Sequence, residues 1–239
     1  MISLTAGEAH LWSAFPDRNH DPAIRARQLA VLSPAERDRM SRFRFESGRD
    51  EYLVAHSLVR DVLSRYAPSP PGAWEFQANQ YGCPYIVAPA EHVGLRFNLS
   101  HTKGRVIIAV AQEADIGVDV ERADRGGDLE AIADRFFSPP EVEQLKCDAK
   151  LFFDFWTLKE SYIKARGMGL SIPLDSFSFS LSDPAHPRIT FHASCEDQPE
   201  RWQFALQREE HYRVALSIAC ATPLRITERE IIPMAVSDL

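Results

Sequence analysis

The sequence predicts an α+β (α/β) fold, built as a pseudo-two-fold pair of similar halves in which helices pack on antiparallel sheets. Three observations carry that prediction. Alternating strand patterns flank a short turn in LRFNLSH-TKG-RVIIAVA, from Leu95 to Ala111. Capped amphipathic helices open at LSPAERDRM and again at FSPPEVEQL. Those two helix starts also match one another. Ser138 lies 105 residues after Ser33, and the same offset aligns TLKESYIKA, from Thr157, with YLVAHSLVR, from Tyr52. RVALSIAC, from Arg213, then follows RVIIAVAQ, from Arg105, at an offset of 108. Three matches in one order at nearly constant spacing favour duplication. The halves fall at 1–112 and 113–239, with a cleft between them of the kind ligands occupy.

In LSPAERDRMSRF, Ser33 is placed to cap, Pro34 to take the first helical position and Glu36 to close a capping box. Arg49 to Tyr66 reads as a longer amphipathic helix, stopped by the Pro-rich APSPPGAW. Leu95, Phe97 and Leu99 alternate with Arg96, Asn98 and Ser100 as a strand does. TKG is a turn, and VIIAVA is an apolar return strand far too short to cross a bilayer. In IGVDVE, Ile116, Val118 and Val120 take one face, and Gly117, Asp119 and Glu121 the other. In FWTLKESYIKARG, Trp156, Leu158, Tyr162 and Ile163 are packing residues of a helix, while Glu160 and Lys164, four apart, share a face.

At 239 residues the chain is long enough to bury a sizeable core. Its 45% hydrophobic and 26% charged residues are those of an ordinary globular protein. A net charge of −7 argues against nucleic-acid binding through overall charge but leaves room for a local basic patch that recognises a phosphorylated small molecule. Cys83, Cys147, Cys195 and Cys220 form no C-x-x-C, so neither a zinc site nor a disulfide framework is indicated, and reduced thiols predict a cytoplasmic location. MISLTAGEAHLW has no basic region ahead of an apolar run, so no signal peptide is expected. No Walker loop, G-x-G-x-x-G or G-x-S-x-G occurs, and the chemistries tied to those motifs find no support.

Two carboxylates on neighbouring same-face positions of one strand repel each other. Asp119 and Glu121 therefore have two open readings: an exposed edge-strand face, or a divalent-cation site. Mg²⁺ suits the second, because it takes one or two carboxylates and completes its shell with waters and substrate phosphate oxygens. A third carboxylate from a helix, such as Glu160, would complete such a site. Taken alone, Glu160 and Lys164 read as a solvated helix pair worth roughly 0.2–0.5 kcal/mol. His101 closes the polar SHTKG tip, either as a structural histidine or, beside Ser100 and Lys103, as a phosphate contact.

Taken in order, FNLSHTKG, IGVDVE, RFFSPPE and FWTLKESYIKARGMGLSIPLDSFSF resemble the 4′-phosphopantetheinyl transferases of the surfactin-synthetase-activating (Sfp-type) family, from about Leu32 to Leu181. The family's G-[IV]-D-x-E is matched in full, as is its W-x-x-K-E-x-x-x-K by Trp156, Lys159, Glu160 and Lys164. The resemblance implies that family's pseudo-dimeric fold. It also implies transfer of the phosphopantetheine arm of coenzyme A to a serine of an acyl or peptidyl carrier protein, releasing adenosine 3′,5′-bisphosphate. It assigns Asp119, Glu121 and Glu160 to Mg²⁺, with Mn²⁺ as an alternative, and makes Asp119, Glu160 and Lys164 catalytic. Glu160, directly or through a water, takes the serine proton. Lys164, Ser100 and His101 contact phosphates, and Arg39, Arg44 and Arg49 are candidates for the 3′-phosphate, Arg49 first. Glu141 matches an accessory position or is simply an N-terminal helix acid.

One departure is visible: the family's Gly-Lys-Pro stands here as Gly82-Cys83-Pro84, without the lysine that contacts coenzyme A. The resemblance also places carrier docking after Glu121, where Arg122, Arg125 and Arg135 lie beside Ile132 and Phe136. The expected protein is thus a monomeric transferase that binds neither nucleic acid nor membrane. The alternatives are a non-catalytic coenzyme A- or carrier-binding homologue, which has no need of Glu160, and a metal-dependent phosphohydrolase, which explains neither Lys164 nor the SHTKG tip.

Overall fold

The computed structural model describes residues 1–235. The chain runs β1 (Glu8–Ala14), α1 (Pro22–Val31), α2 (Pro34–Ser41), α3 (Glu46–Leu63), a hairpin of β2 (Glu75–Ala78) and β3 (Pro84–Ala88), then a hairpin of β4 (Leu95–Thr102) and β5 (Arg105–Gln112). The same order then recurs: β6 (Ile116–Arg122), α4 (Leu129–Phe136), α5 (Pro139–Cys147), α6 (Phe152–Ala165), β7 (Phe177–Ser180) with β8 (Arg188–Phe191), and β9 (Trp202–Arg208) with β10 (Tyr212–Ala219). A last strand, β11 (Arg225–Glu230), returns to the first sheet and runs parallel to β1. β1 pairs antiparallel with β5 and β5 with β4, just as β6 pairs with β10 and β10 with β9. The recurrence takes in β1 with β6 and the two small hairpins, which the sequence offsets alone do not match.

The layers follow from side-chain parity. On β5, Val106, Ile108 and Val110 pack with Val54, Leu58 and Val62 of α3, whereas Ile107, Ala109 and Ala111 turn to the other face. There they meet Val118 and Val120 of β6 and Val214 and Leu216 of β10. The opposite face of the second sheet is covered by α6, through Phe155, Leu158 and Tyr162. The body is therefore helix, sheet, sheet, helix, and β5 is apolar on both faces because both are covered. β10 instead turns Arg213 and Ser217, with Ala215, toward α6, where Arg213 pairs with Asp154 and Ser217 with Ser161.

Both capping boxes form. Glu36 Oε2 accepts from Ser33 N at 2.7 Å while Ser33 Oγ accepts from Glu36 N. At Ser138 the backbone N–H and the hydroxyl both donate to Glu141 Oε2, at 3.0 and 2.7 Å. Each box acid also holds a cation from the long helix of its own half. Arg60 reaches Glu36 Oε2 at 2.8 Å, and Lys159 reaches Glu141 Oε2 at 2.7 Å. Glu141 thus keeps its helix-capping role but is not a surface acid; it and Lys159 are both 0% exposed. Lys159 Nζ completes its shell on the carbonyls of Leu174 and Phe177.

Of the polar parity of β4, Arg96 is exposed but the next two residues are not turned to water. Asn98 and Ser100 are buried against β6, where Asn98 Oδ1 accepts from Val118 N at 3.0 Å and Ser100 Oγ from Val120 N at 3.2 Å. β6 is an edge strand whose outward amides are satisfied by side chains of the other sheet. This seam between the two sheets is where the functional candidates gather. Among the described residues, no helix is long and apolar enough to cross a membrane.

Candidate active site

α6 lies unusually close to β6, because position 117 has no side chain. A Cβ on Gly117 would sit 2.0 Å from Ser161 O and 2.4 Å from Ala165 N. The acidic face of β6 is consequently turned onto α6, and the exposed-edge reading does not hold for Asp119, which is only 4% exposed. Leu99, Ser100, His101, Asp119, Glu121, Trp156, Glu160 and Lys164 line one open cleft of about 410 Å³ at the seam. Six of these residues were singled out from sequence. In the sequence Leu99 is only a strand position, and Trp156 is a packing residue that also opens the W-x-x-K-E-x-x-x-K match; Trp156 both stacks on Phe152 and walls the cleft beside Glu121.

The polar contacts radiate from Asp119. Its Oδ1 accepts from Ser100 Oγ at 2.9 Å and from Lys164 Nζ at 2.6 Å, and Lys164 also donates to Ser100 Oγ at 2.9 Å. The Glu160–Lys164 surface pair expected from spacing is replaced by this longer-range contact. Asp119 Oδ2 is buried without a hydrogen-bond partner. Burial, and then the charges of Asp119 and Glu121, push the Glu160 carboxyl up to about 7, against the opposing pull of Lys164. Burial, and next Asp119, likewise raise Glu121. His101 is pushed down by its surroundings, further by Lys164 and His56, and is partly restored by Asp119.

Three carboxylates around one cleft, Glu121 and Glu160 raised and Asp119 with an orphaned buried oxygen, are a donor set suited to a hard cation. Among the described residues, no three His, Cys, Asp or Glu side chains form a ready-made ligand cage. The Lys164 ammonium already sits on Asp119.

The other candidates do not line this cleft. Arg39 lines a separate depression with Asp38, Arg42 and Phe43, Arg49 donates to Phe43 O at 2.9 Å, and Arg44 lies over the Phe45 ring at 5.4 Å. Lys103 lines another depression, with Arg25 and Asp50. Arg122 is paired with Asp124, Arg125 stands 3.6 Å from Glu121, and Arg135 covers the Phe136 ring. Phe136 makes an edge contact with Trp156, and Ile132 packs on the second core. Cys83 occupies the β2–β3 turn, whose Asn79 donates to Gly167 O at 2.7 Å just beyond α6. His56, not singled out from sequence, stacks on Tyr52 and has Nδ1 2.9 Å from Glu36 Oε1. Its only sequence signal was its place on the polar side of the long helix.

A family model described as "4′-phosphopantetheinyl transferase superfamily" matches residues 115–217, and one described as "4′-phosphopantetheinyl transferase, N-terminal" matches residues 22–113. A 4′-phosphopantetheinyl transferase of Bacillus subtilis is 33% identical over 184 residues, covering 75% of this chain and 80% of the relative. The 4′-phosphopantetheinyl transferase HetI of a Nostoc species is 34% identical, covering 78% and 79%. The 4′-phosphopantetheinyl transferase Sfp of Bacillus subtilis is also 34% identical, covering 77% and 84%.

Proposed function

Since the chain belongs to the 4′-phosphopantetheinyl transferase superfamily, we propose that it transfers the phosphopantetheine arm of coenzyme A to a serine of an apo acyl or peptidyl carrier protein. The observation that carries this reading is the convergence of Asp119, Glu121, Glu160 and Lys164 in one cleft with Ser100 and His101. No feature of that cleft favours a binding-only homologue.

The serine oxygen forms a bond to the phosphorus carrying the pantetheine arm, and the bond from that phosphorus to the bridging pyrophosphate oxygen breaks. Glu160, directly or through a water, is suited by its place in the cleft to take the serine proton; its carboxyl stands near 7 with no cation bound, and a dication on the cluster would lower it. Lys164 and His101, which both line the cleft, would contact the phosphates. Lys164 neutralises charge on the departing adenosine 3′,5′-bisphosphate or donates its proton.

Asp119, Glu121 and Glu160 would hold Mg²⁺, or Mn²⁺ in its place, which when bound supplies charge neutralisation at the phosphoryl oxygens. Residues 1–112 would then contribute mainly coenzyme A contacts, with Arg39, Arg44 and Arg49 reaching the 3′-phosphate at the far end of the substrate. Residues 113–239 would supply the cation site and dock an acidic carrier helix near Arg122, Arg125, Ile132 and Phe136. The protein would act as a cytoplasmic monomer.

The test is incubation with coenzyme A, Mg²⁺ and a panel of apo carriers, read by intact-protein mass. At least one carrier is expected to gain the mass of one phosphopantetheine arm. No gain on any carrier would refute the proposal.

A further inference from the structure

Lys164 is placed where a cation is wanted. Its Nζ contacts Asp119 Oδ1 at 2.6 Å and Ser100 Oγ at 2.9 Å, yet the side chain is 28% exposed and opens onto the cleft. Among the described residues Arg125 pairs with Glu121, at 3.6 Å, and not with Asp119. Asp119 is therefore a buried carboxylate with one oxygen neutralised by an ammonium and the other without a partner. A buried carboxylate needs a counter-charge, and this one is supplied by a long flexible side chain and not by a fixed guanidinium fork. A dication bound by Asp119 and an ammonium on the same carboxylate repel each other, so the two compete.

We propose that Lys164 is the resident counter-ion of the acid cluster, seated on Asp119 until a divalent cation takes that carboxylate and displaces the ammonium toward the mouth of the cleft. The inference rests on the reading of Asp119, Glu121 and Glu160 as a divalent site. It also gives the reaction an order. Lys164 is free to meet pyrophosphate oxygens only after the cation is bound, so cation binding and coenzyme A binding strengthen each other.

Two measurements on the full chain, without coenzyme A, test it. Mg²⁺ is titrated calorimetrically into the wild type and into Lys164→Met. Loss of the competitor is expected to tighten Mg²⁺ binding at least about tenfold, equivalent to about 1.4 kcal/mol. In the wild type, brief acylation at fixed pH is followed by peptide mass spectrometry, with the exposed Lys103 and Lys150 as internal references. Labelling of Lys164 is expected to rise several-fold when Mg²⁺ is added.

Equal affinities in the two proteins, or weaker binding by the variant, would overturn the inference while leaving the metal reading intact. So would unchanged labelling of Lys164 in Mg²⁺-saturated wild type. No Mg²⁺ binding by either protein would overturn the metal reading and this inference with it. Should Lys164→Met fail to fold, the labelling result on the wild type decides alone.

Discussion

Gly117→Ala is the most informative single change, because one methyl group tests how strand and helix are held in register. The added Cβ would meet Ser161 O at 2.0 Å, Ala165 N at 2.4 Å and Ala165 Cα at 3.0 Å. All three are backbone atoms of α6 or its last residue, so no side-chain rotation relieves the clash. The helix must lift from β6 by on the order of 1 Å, carrying Glu160 and Lys164 away from Asp119, and displacements of that size cost about 100-fold in rate. Overpacking of a close-packed interface costs about 1–3 kcal/mol. At about 2–4 °C per kcal/mol for a chain of this length, Tm should fall by roughly 2–12 °C. The assay is kcat/KM for carrier loading beside a thermal melt, with far-ultraviolet circular dichroism to confirm the fold. Unchanged Tm with full turnover would refute the packing argument. A lowered Tm with full turnover would show that the register of α6 on β6 does not matter for transfer.

Lys159→Met should strand Glu141 as a buried, uncompensated charge and destabilise the protein by about 3–5 kcal/mol, with Glu141→Gln added to it recovering much of the loss. Urea unfolding of the single and double variants reads this, and a single variant as stable as the wild type would contradict it. Glu160 sets a pH dependence whose sign is fixed by its raised carboxyl. The stability it contributes is present below the unfolded value near 4.5 and is lost as pH rises through about 7. In chelator at about pH 8, Glu160→Gln should therefore be more stable than the wild type, by up to about 3 kcal/mol. The gap should close toward about pH 4, and parallel stability profiles would exclude it. Charge reversal at Arg122 and Arg125 should raise KM for carrier several-fold and leave KM for coenzyme A unchanged; an equal effect on both substrates would remove the docking assignment.

Where the sequence was readable, simple spacing did the work. Period two put Asp119 and Glu121 on one face of β6, a spacing of four put Glu160 and Lys164 on one face of α6, and both faces line the same cleft. The capping boxes at Ser33 and Ser138 are legible because the acid stands three positions after the cap in each. The long helix was placed three residues late, at Arg49 and not Glu46, because its first turn, ESGR, carries no apolar signal. Features that depend on what a distant segment supplies were not readable. Asn98 and Ser100 look solvent-facing by alternation, but they close the amides of β6. Lys159 looks like a surface lysine between Leu158 and Glu160, but its three partners come from residues 141, 174 and 177. Gly117 is by sequence only a position on the face of Asp119 and Glu121, but the backbone of α6 occupies the space its side chain would need. β11 gave no hint that it would leave its own half and pair with β1.

In the proposed function, β6 and α6 jointly build the place where the coenzyme A pyrophosphate is held for transfer. Anomalous diffraction from crystals grown with Mn²⁺ and coenzyme A tests it most directly. The expected result is a manganese peak bounded by Asp119, Glu121 and Glu160, touching a pyrophosphate oxygen, with the Lys164 amine moved off Asp119 and onto phosphate. A manganese peak elsewhere, or a pyrophosphate lying outside the cleft between Ser100 and Lys164, would contradict it.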